Sequence, residues 1–344
     1  MVVINFPGFV GETLELTQTL ERIARALIER KCDFLLGAGM SSPPPSNVPT
    51  GRELGLKLLE RFFGASTAAD TLEKFLDAVP FECIAEAVEN LPGKKRKDLS
   101  PLLRHLLVDS DPPINAAHQE FLSVFDWDGQ RRLRRLYTTN FDKLIEKALA
   151  GRAVTVTEKN AHQIDTIADE KVPILHLHGT LDDDDYQITE SDLFSDRFRK
   201  LHSRFETTLR ETDAFVFVGF SMTDPDFRRI YLRYQGDIRS RMEDQKDSYV
   251  VSPAANREEY DLGRAIWKSR GAIWLPLDAK SFFRALRDIL ESKTTKDVED
   301  AIMKKYHLRD RSAYQQKLEQ TMTILEISEP DAIEFLYQTR PKTG

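Results

Sequence analysis

The chain has 344 residues, of which 41% are hydrophobic and 31% charged, the balance of a folded globular protein rather than a disordered one. Its formal net charge of −7 argues against nucleic-acid binding driven by overall charge, and leaves open only a local basic face. With two cysteines, Cys32 and Cys83, the chain alone can build neither a disulfide framework nor a four-cysteine zinc site.

No segment predicts an export signal or a membrane span. The first residues, MVVINFPGFVGETLEL, lack a basic start followed by a continuous apolar core. The longest apolar runs have the length of a strand, well short of the roughly 18 residues that a bilayer requires. We therefore expect a cytoplasmic protein that does not enter a membrane.

Six short apolar runs, rich in β-branched and aromatic residues, predict β-strands. They are continuous rather than alternating, which indicates strands covered on both faces. Helical patterns lie between them, so the strands are expected to pair in parallel through helical crossovers. The predicted fold is α/β, a Rossmann-like open parallel sheet flanked by helices. Its strands are predicted at 32–36, 133–138, 173–178, 213–218, 247–252 and 272–277.

Two regions depart from this alternation. Residues from about 53 to 130 hold several helical patterns and no convincing strand, which predicts a helical subdomain inserted after the first strand. Residues 294–344 are charged and helical, with a few late apolar positions. The predicted organisation is thus a main domain over 1–293 and a C-terminal helical appendage over 294–344.

The first strand runs directly into the sequence GAGMS at 37–41. Glycines at the carboxyl end of a strand let the backbone turn tightly and approach a phosphate. A tight turn without a ligand would have the same sequence. The full six-residue dinucleotide motif is broken by Ser42 in its last position, so an ordinary dinucleotide dehydrogenase is not favoured.

The next strand ends in the sequence YTTNFD at 137–142. Asn140 and Asp142 stand where a helix begins, at the edge where open α/β sheets bind ligands. Both residue types are also good helix caps. Considered alone, capping is the simpler interpretation of this motif.

The sequence HLHG at 176–179 closes the strand that starts at Pro173. In a regular strand the two histidines would share a face and differ in depth. His176 lies further back and is expected to be a core histidine, whereas His178 at the strand end is the better general base. A His-x-His metal pair is the less favoured alternative, because no third ligand is evident nearby.

A fourth motif, VGFSMTDPD at 218–226, follows a later strand and leads into a helix. Its amides and hydroxyls suit a second phosphate or a ribose. A plain capped turn would have the same sequence, so the motif does not identify a ligand by itself.

The four motifs, in this order and each at a strand end, resemble the sirtuin family, and specifically its bacterial sirtuin-like defence branch. The resemblance covers about residues 30–290 and implies an NAD-binding catalytic domain within 1–293. The residues that it assigns to binding NAD are Gly37, Ala38, Gly39 and Ser41 in a diphosphate loop, Pro49 and Arg52 in a mobile cofactor loop, and Gly219 and Ser221 after a later strand. The residues that it assigns to catalysis are Asn140, Asp142 and His178.

The departures from the family pattern also carry information. Protein-deacylating sirtuins have a four-cysteine zinc module after the His-Gly pair, and this chain has no cysteine after Cys83. Thr139 replaces the usual glutamine, Thr50 and Gly51 replace an aspartate and a phenylalanine, and Ser252 stands near the place of the asparagine that holds the adenosine ribose. The resemblance therefore implies an NAD+ hydrolase without zinc, which uses NAD as substrate and water as acceptor to give nicotinamide and ADP-ribose.

The resemblance also implies a mechanism and a setting. Nicotinamide is already a cationic leaving group, so cleavage needs stabilisation of an oxocarbenium-like centre and delivery of a nucleophile. Asn140 would orient the carboxamide or a water, Asp142 would recognise the nicotinamide amide, and His178 would deprotonate a ribose hydroxyl or water. Relatives of this kind act in antiphage defence with a HerA-type hexameric ATPase, which implies a homo-oligomer that contacts nucleic acid only indirectly.

Two alternatives remain at this point. One is a DNA-linked nuclease or sensor subunit, supported by local basic residues at 94–97, 131–135 and 228–241. The other is a nucleotide-binding regulator without turnover. Amphipathic segments at 197–210 and 303–335 exceed what one sheet needs, and they predict assembly beyond a dimer.

Overall fold

The computed structural model describes residues 13–64, 69–126, 133–182, 185–221, 225–241 and 247–338. The chain divides into two compact units, with the boundary between Leu286 and Arg287. The boundary predicted from the sequence, between 293 and 294, lies a few residues further along the chain.

The larger unit is built on a parallel sheet of seven strands, which confirms the predicted fold class. The strands in chain order are β1 (Cys32–Leu36), β2 (Leu136–Thr138), β3 (Ala153–Val156), β4 (Val172–His176), β7 (Ala214–Val218), β8 (Asp247–Val251) and β9 (Ala272–Leu275). A small antiparallel hairpin, β5 (Gly179–Thr180) and β6 (Asp185–Tyr186), lies outside this sheet. One strand, β3, is absent from the prediction, because its four residues are partly exposed at the sheet edge and form no continuous apolar run.

The spatial order of the sheet is β3-β4-β2-β1-β7-β8-β9. After β1 the chain builds one side of the sheet and then returns to β7, which pairs with the other side of β1. The carboxyl ends of β1 and β7 are therefore the point where the order reverses, and ligands of open α/β sheets bind in the crevice at such a point.

Helices flank the sheet. In the larger unit they are α1 (Thr13–Ile28), α2 (Gly51–Phe63), α3 (Ala69–Ala78), α4 (Phe81–Glu89), α5 (Arg96–Leu107), α6 (Ala116–Asp126), α7 (Leu144–Ala148), α8 (Glu190–Leu193), α9 (Arg199–Glu211), α10 (Pro225–Arg241), α11 (Arg257–Ser269) and the start of α12 (Ala279–Lys305). Within the described ranges, five of these helices and no strand lie between β1 and β2, as the sequence predicted for the insertion. None of the described helices combines the length and the apolar character that crossing a bilayer requires.

The core of the larger unit explains the continuous apolar runs. Every residue of β1, β4 and β7 is buried, since helices cover both faces of the sheet. On one face, the ring of Phe205 in α9 packs against Phe215, with ring centroids 5.5 Å apart, and against Tyr137 at 5.1 Å. The apolar face of α9 is thus buried within its own unit, and the amphipathic pattern at 197–210 is explained without a partner.

The smaller unit contains the rest of α12 together with α13 (Arg311–Leu325) and α14 (Glu329–Gln338). Its own small core contains Ile302, Tyr314, Leu318, Ala332 and Leu336. Apolar side chains also remain on its surface, since Ile324 is 77% exposed and Phe335 is 42% exposed.

Candidate active site

A cavity of about 770 Å³ opens at the carboxyl edge of the sheet, where β1, β2, β7 and β8 end. This volume is within the range that ligand pockets occupy. The predicted site residues that line it are Ala38, Gly39, Pro49, Arg52, Asn140, Asp142, His178, Gly219 and Ser221. Gly37 and Ser41 are not among the lining residues, but their neighbours in the same turn are.

The glycine turn after β1 packs directly against the turn after β7. The amide of Gly37 donates to Val218 O at 2.9 Å, and the amide of Gly39 donates to Gly219 O at the same distance. A Cβ on Gly39 would lie 2.8 Å from Gly219 Cα, and a Cβ on Gly219 would lie 2.7 Å from Gly39 C. Besides the close approach to a phosphate that the sequence predicts, these glycines allow the close contact between two backbones.

Ser41, Asn140 and Asp142 meet behind the cavity wall. The Asn140 amide nitrogen donates to Ser41 Oγ at 3.3 Å, and Ser41 Oγ donates to Asp142 Oδ1 at 3.2 Å. All three residues are buried. Residues about 100 positions apart in the chain are therefore joined in one polar cluster, and Asn140 and Asp142 line the cavity from it.

The turn after β2 is held by short-range hydrogen bonds. Asn140 N–H donates to Thr138 Oγ1 at 3.0 Å, and Thr138 Oγ1 donates to Leu36 O at 2.8 Å. Asp142 Oδ1 accepts from the amide of Leu144, the first residue of α7, at 3.0 Å. The N-cap position itself is Lys143, so Asp142 bonds the first amide of the helix from one residue before the cap, and it also lines the cavity. Burial raises the pKa of the Asp142 carboxyl above its ordinary value.

The two histidines of the HLHG motif have different surroundings. Strand β4 ends at His176, and residues 177–178 form a turn. The expectation that both histidines share one face of a regular strand is therefore wrong. His176 has no exposed surface, whereas His178 is partly exposed and lines the cavity with its ring 6.3 Å from that of Phe141. The difference in depth that the sequence analysis predicted is present.

The segment after His178 forms one wall of the cavity through Gln187, Ile188 and Leu193. Arg96 of the inserted helices holds this wall: its guanidinium bonds Tyr186 O at 3.2 Å and forms an ion pair with Asp192. Asp192 also accepts from the amide of Ile188 at 3.0 Å. Among the described residues, no group of three or more histidine, cysteine or acidic side chains could hold a metal ion.

The predicted mobile cofactor loop is partly helical. Thr50 caps α2, which begins at Gly51, and its backbone amide donates to Glu53 at 2.7 Å. Arg52 therefore belongs to the first turn of the helix, where it pairs with Asp77 at 2.8 Å. Both side chains are largely exposed, so this ion pair is expected to add little stability.

The far end of the cavity is lined by Ser221, Ser252 and Pro253. Trp274 Nε1 donates to Ser252 Oγ at 2.9 Å and lies 3.0 Å from Ser252 O. The sequence analysis placed Ser252 near the position of the family's ribose-binding asparagine. The structure puts it at the cavity but already bonded to Trp274.

Sequence reasoning did not identify Asn115, which supports the glycine turn from below. Its amide nitrogen donates to Met40 O at 3.0 Å and to Pro43 O at 3.2 Å. Its Oδ1 accepts from the amides of Ala117 and His118 at the start of α6. An asparagine directly before a helical pattern predicts the capping role of Asn115. No sequence pattern predicts its contact with Met40, which is 75 residues away in the chain.

His118, next to Asn115, leads to a prediction about acid stability. Burial lowers its pKa from 6.5 to about 4. Because the unfolded chain binds the proton more readily, this contribution to stability is complete above pH 6.5 and is lost as pH falls towards 4. We expect the free energy of unfolding to fall by on the order of 3 kcal/mol from this group across that window.

The test is urea unfolding at pH 7 and pH 5 for the wild type, His118→Leu and, as an exposed control, His162→Leu. His118→Leu should flatten the pH dependence, and His162→Leu should leave it unchanged. Identical pH dependence in all three proteins would contradict the prediction.

Part of the chain matches the model of a known protein family. Residues 134–275 match the model of the SIR2-like domain. The matched stretch extends from the approach to β2 to the end of β9 and contains Asn140, Asp142, His178, Gly219 and Ser221. The glycine turn after β1 lies outside it. This part of the chain is thus similar to a SIR2-like domain.

A curated relative is the NAD(+) hydrolase ThsA of Enterococcus faecium, which is 29% identical over 129 residues. The match covers 36% of this chain and 26% of that protein, so the chain spans about a quarter of the relative's length.

Two solved structures also match. One, from work on the mechanism and regulation of Sir2 enzymes, has 12% identity and a TM-score of 0.42, and the match covers 81% of this chain and 99% of the other. The second, a mutant Sir2 homologue in complex with ADP-ribose, has 16% identity and a TM-score of 0.45, with 81% and 97% covered.

Proposed function

We propose that the protein cleaves the bond between nicotinamide and ribose in NAD+, with water as the acceptor. The observation that carries this proposal is the cluster of Ser41, Asn140 and Asp142, which lies at the same cavity as His178 and the two packed glycine turns. The SIR2-like domain and the NAD(+) hydrolase among its relatives support it.

The cavity offers matching groups for the two ends of the substrate. The turns around Gly39 and Gly219 line the cavity at the reversal point of the sheet, where open α/β sheets bind their ligands, and this is the place for the diphosphate. Asn140 and Asp142 supply an amide and a carboxylate for the nicotinamide carboxamide or for a water molecule. The far end, with Ser221 and Ser252, is left for the adenosine.

This cleavage does not require the protein to act as a general acid. The bond from ribose to the nicotinamide nitrogen breaks and its electron pair neutralises the pyridinium, so the leaving group needs no proton. Water then bonds to the ribose carbon and loses a proton, which gives nicotinamide, ADP-ribose and H⁺. His178 is the group in the cavity suited to accept that proton, and binding energy from the diphosphate can be used at the reacting carbon.

The nucleic-acid alternative loses part of its support. Arg134 and Arg135 are paired with the buried Asp33, at 2.6 and 3.8 Å. Arg96 is engaged by Asp192 and Glu89, and Arg233 forms an ion pair with Glu206. These arginines hold structural contacts instead of forming a continuous basic face. Of the run at 131–135, residues 131 and 132 lie outside the described residues.

Regulation belongs to the same proposal. An NAD+ hydrolase without control would deplete its host of NAD+. We therefore propose that the activity is controlled through a homo-oligomer and a HerA-type ATPase partner in antiphage defence. The support is the sequence resemblance, together with exposed apolar side chains such as Ile324 and Phe335 in the smaller unit.

The activity is tested by following nicotinamide release from NAD+ by the purified full chain, alone and with a co-purified partner. We expect turnover without any acylated peptide, and no inhibition by EDTA, because the proposed chemistry uses no metal. Asn140→Ala serves as the inactive control. Turnover that requires an acyl-lysine peptide, or that a chelator abolishes, would contradict the proposal.

A further inference from the structure

Behind the cavity wall, His176 and Glu146 form a buried pair that also contacts Asn140. His176 Nδ1 lies 3.1 Å from the backbone oxygen of Asn140, and His176 Nε2 lies 2.8 Å from Glu146 Oε1. Thr155 of β3 donates to the same carboxyl oxygen at 2.9 Å. His176 has no exposed surface, so both contacts are made away from water.

The ring nitrogens can be assigned by counting donors. A backbone oxygen only accepts, so the bond to Asn140 requires a proton on His176 Nδ1. Nε2 faces a carboxyl oxygen that already accepts from Thr155. When the carboxyl is ionised, Nε2 must donate as well, and the ring is an imidazolium. Burial alone would raise the pKa of Glu146, but the contacts with His176, together with hydrogen bonds from a backbone amide and from Thr155, lower the pKa overall.

We propose that His176 and Glu146 form a buried imidazolium–carboxylate pair that positions Asn140 for catalysis. The pair does not touch the substrate and acts through the peptide of Asn140. This inference rests on the proposed function, since it deepens the role of the same site.

Asn140 is held by hydrogen bonds at its amide, its side chain and its carbonyl. Its N–H is bonded by Thr138, its side chain by Ser41 and its carbonyl by His176. Without the His176 donor, the carbonyl of a residue that is only 6% exposed loses a hydrogen bond, and the peptide is free to rotate. A displacement of about 1 Å at a catalytic group can cost about 10²-fold in rate.

Two further acidic residues face the pair from the elements around it. Asp142 precedes α7, and Asp182 follows β5 and is itself paired with Lys143. Both aspartates interact electrostatically with His176.

Two substitutions of His176 distinguish its contact with Asn140 from its contact with Glu146. In His176→Asn the side-chain amide nitrogen can take the place of ring Nδ1 and still donate to Asn140, whereas in His176→Gln it reaches only the place of Nε2. We expect His176→Gln to lose about 10- to 100-fold in kcat, with a smaller change in the KM for NAD+. His176→Asn should stay within about threefold of the wild type. Melting curves establish that both variants are folded.

The second measurement is ¹⁵N NMR of histidine-labelled full-length protein at pH 7, with His176→Asn used to assign the signals. We expect both ring nitrogens of His176 to be protonated in the wild type, and one of them to lose its proton in Glu146→Gln. A neutral ring in the wild type, or equal loss of kcat in folded His176→Asn and His176→Gln, would overturn the proposal. If the wild type releases no nicotinamide, the proposed function and the positioning role fail together, while the NMR result still decides whether the charged pair exists.

Discussion

Replacing His178 by alanine is expected to lower the rate of nicotinamide release by about 10²- to 10⁴-fold, the contribution of a general base. The side chain is partly exposed and lines the cavity into which Asn140 and Asp142 also open. Its removal takes away the group that accepts a proton from water or a ribose hydroxyl. Because His178 lies in a turn after β4, the fold should survive the change.

The control for this prediction is His162→Ala, which removes an exposed histidine on the same chain. Steady-state rates at several NAD+ concentrations separate kcat from KM, and melting temperatures verify folding. A His178→Ala variant that retains more than a tenth of the wild-type kcat would remove His178 from the mechanism.

The second large effect is expected at Gly219. Its φ of +62° is unfavourable for an alanine, and the added Cβ would lie 2.7 Å from two backbone atoms of the glycine turn, Gly39 C and Met40 N. Moving either turn to make room would strain the hydrogen bond between them, in which the Gly39 amide donates to Gly219 O. We expect Gly219→Ala to lower the free energy of unfolding by about 2–5 kcal/mol and to abolish NAD+ binding.

A matched control is Gly93→Ala, since Gly93 has a φ of +78° and no atom within 4 Å of the added Cβ. Gly93→Ala adds backbone strain without steric overlap. The difference in the free energy of unfolding between the two variants therefore measures the cost of the overlap between the turns. Chemical denaturation and calorimetric titration with ADP-ribose are the measurements. Equal stability of the two variants would show that the turns can separate at little cost.

Much of the fold could be predicted from the sequence because buried parallel strands are continuous apolar runs. The bounds of β1 agree with the prediction to the residue, and every other predicted strand overlaps an observed one. β3 is absent from the prediction because a partly buried edge strand of four residues forms no such continuous apolar run. The hairpin β5–β6 was missed because two-residue strands have no periodicity.

The candidate site was predictable in part for a topological reason. Motifs at the carboxyl ends of parallel strands meet at one edge of the sheet, so Asn140, His178 and Gly219 were expected near one another. Their supporting residues were not predictable. Asn115 contacts the glycine turn from a distant part of the chain, and Glu146 contacts the site through a buried hydrogen bond with His176. No local sequence pattern indicates either contact.

The Arg96–Asp192 ion pair determines the solution conditions under which this wall of the cavity keeps its shape. A wall held by thiolates and zinc depends on redox potential and on zinc supply. Here a guanidinium and a carboxylate hold the wall, so its integrity depends on proton activity and ionic strength instead. Burial raises the pKa of the nearby Cys83 thiol to about 11, and little of the reactive thiolate exists at neutral pH. This wall of the cavity therefore depends on acid–base chemistry rather than on oxidation.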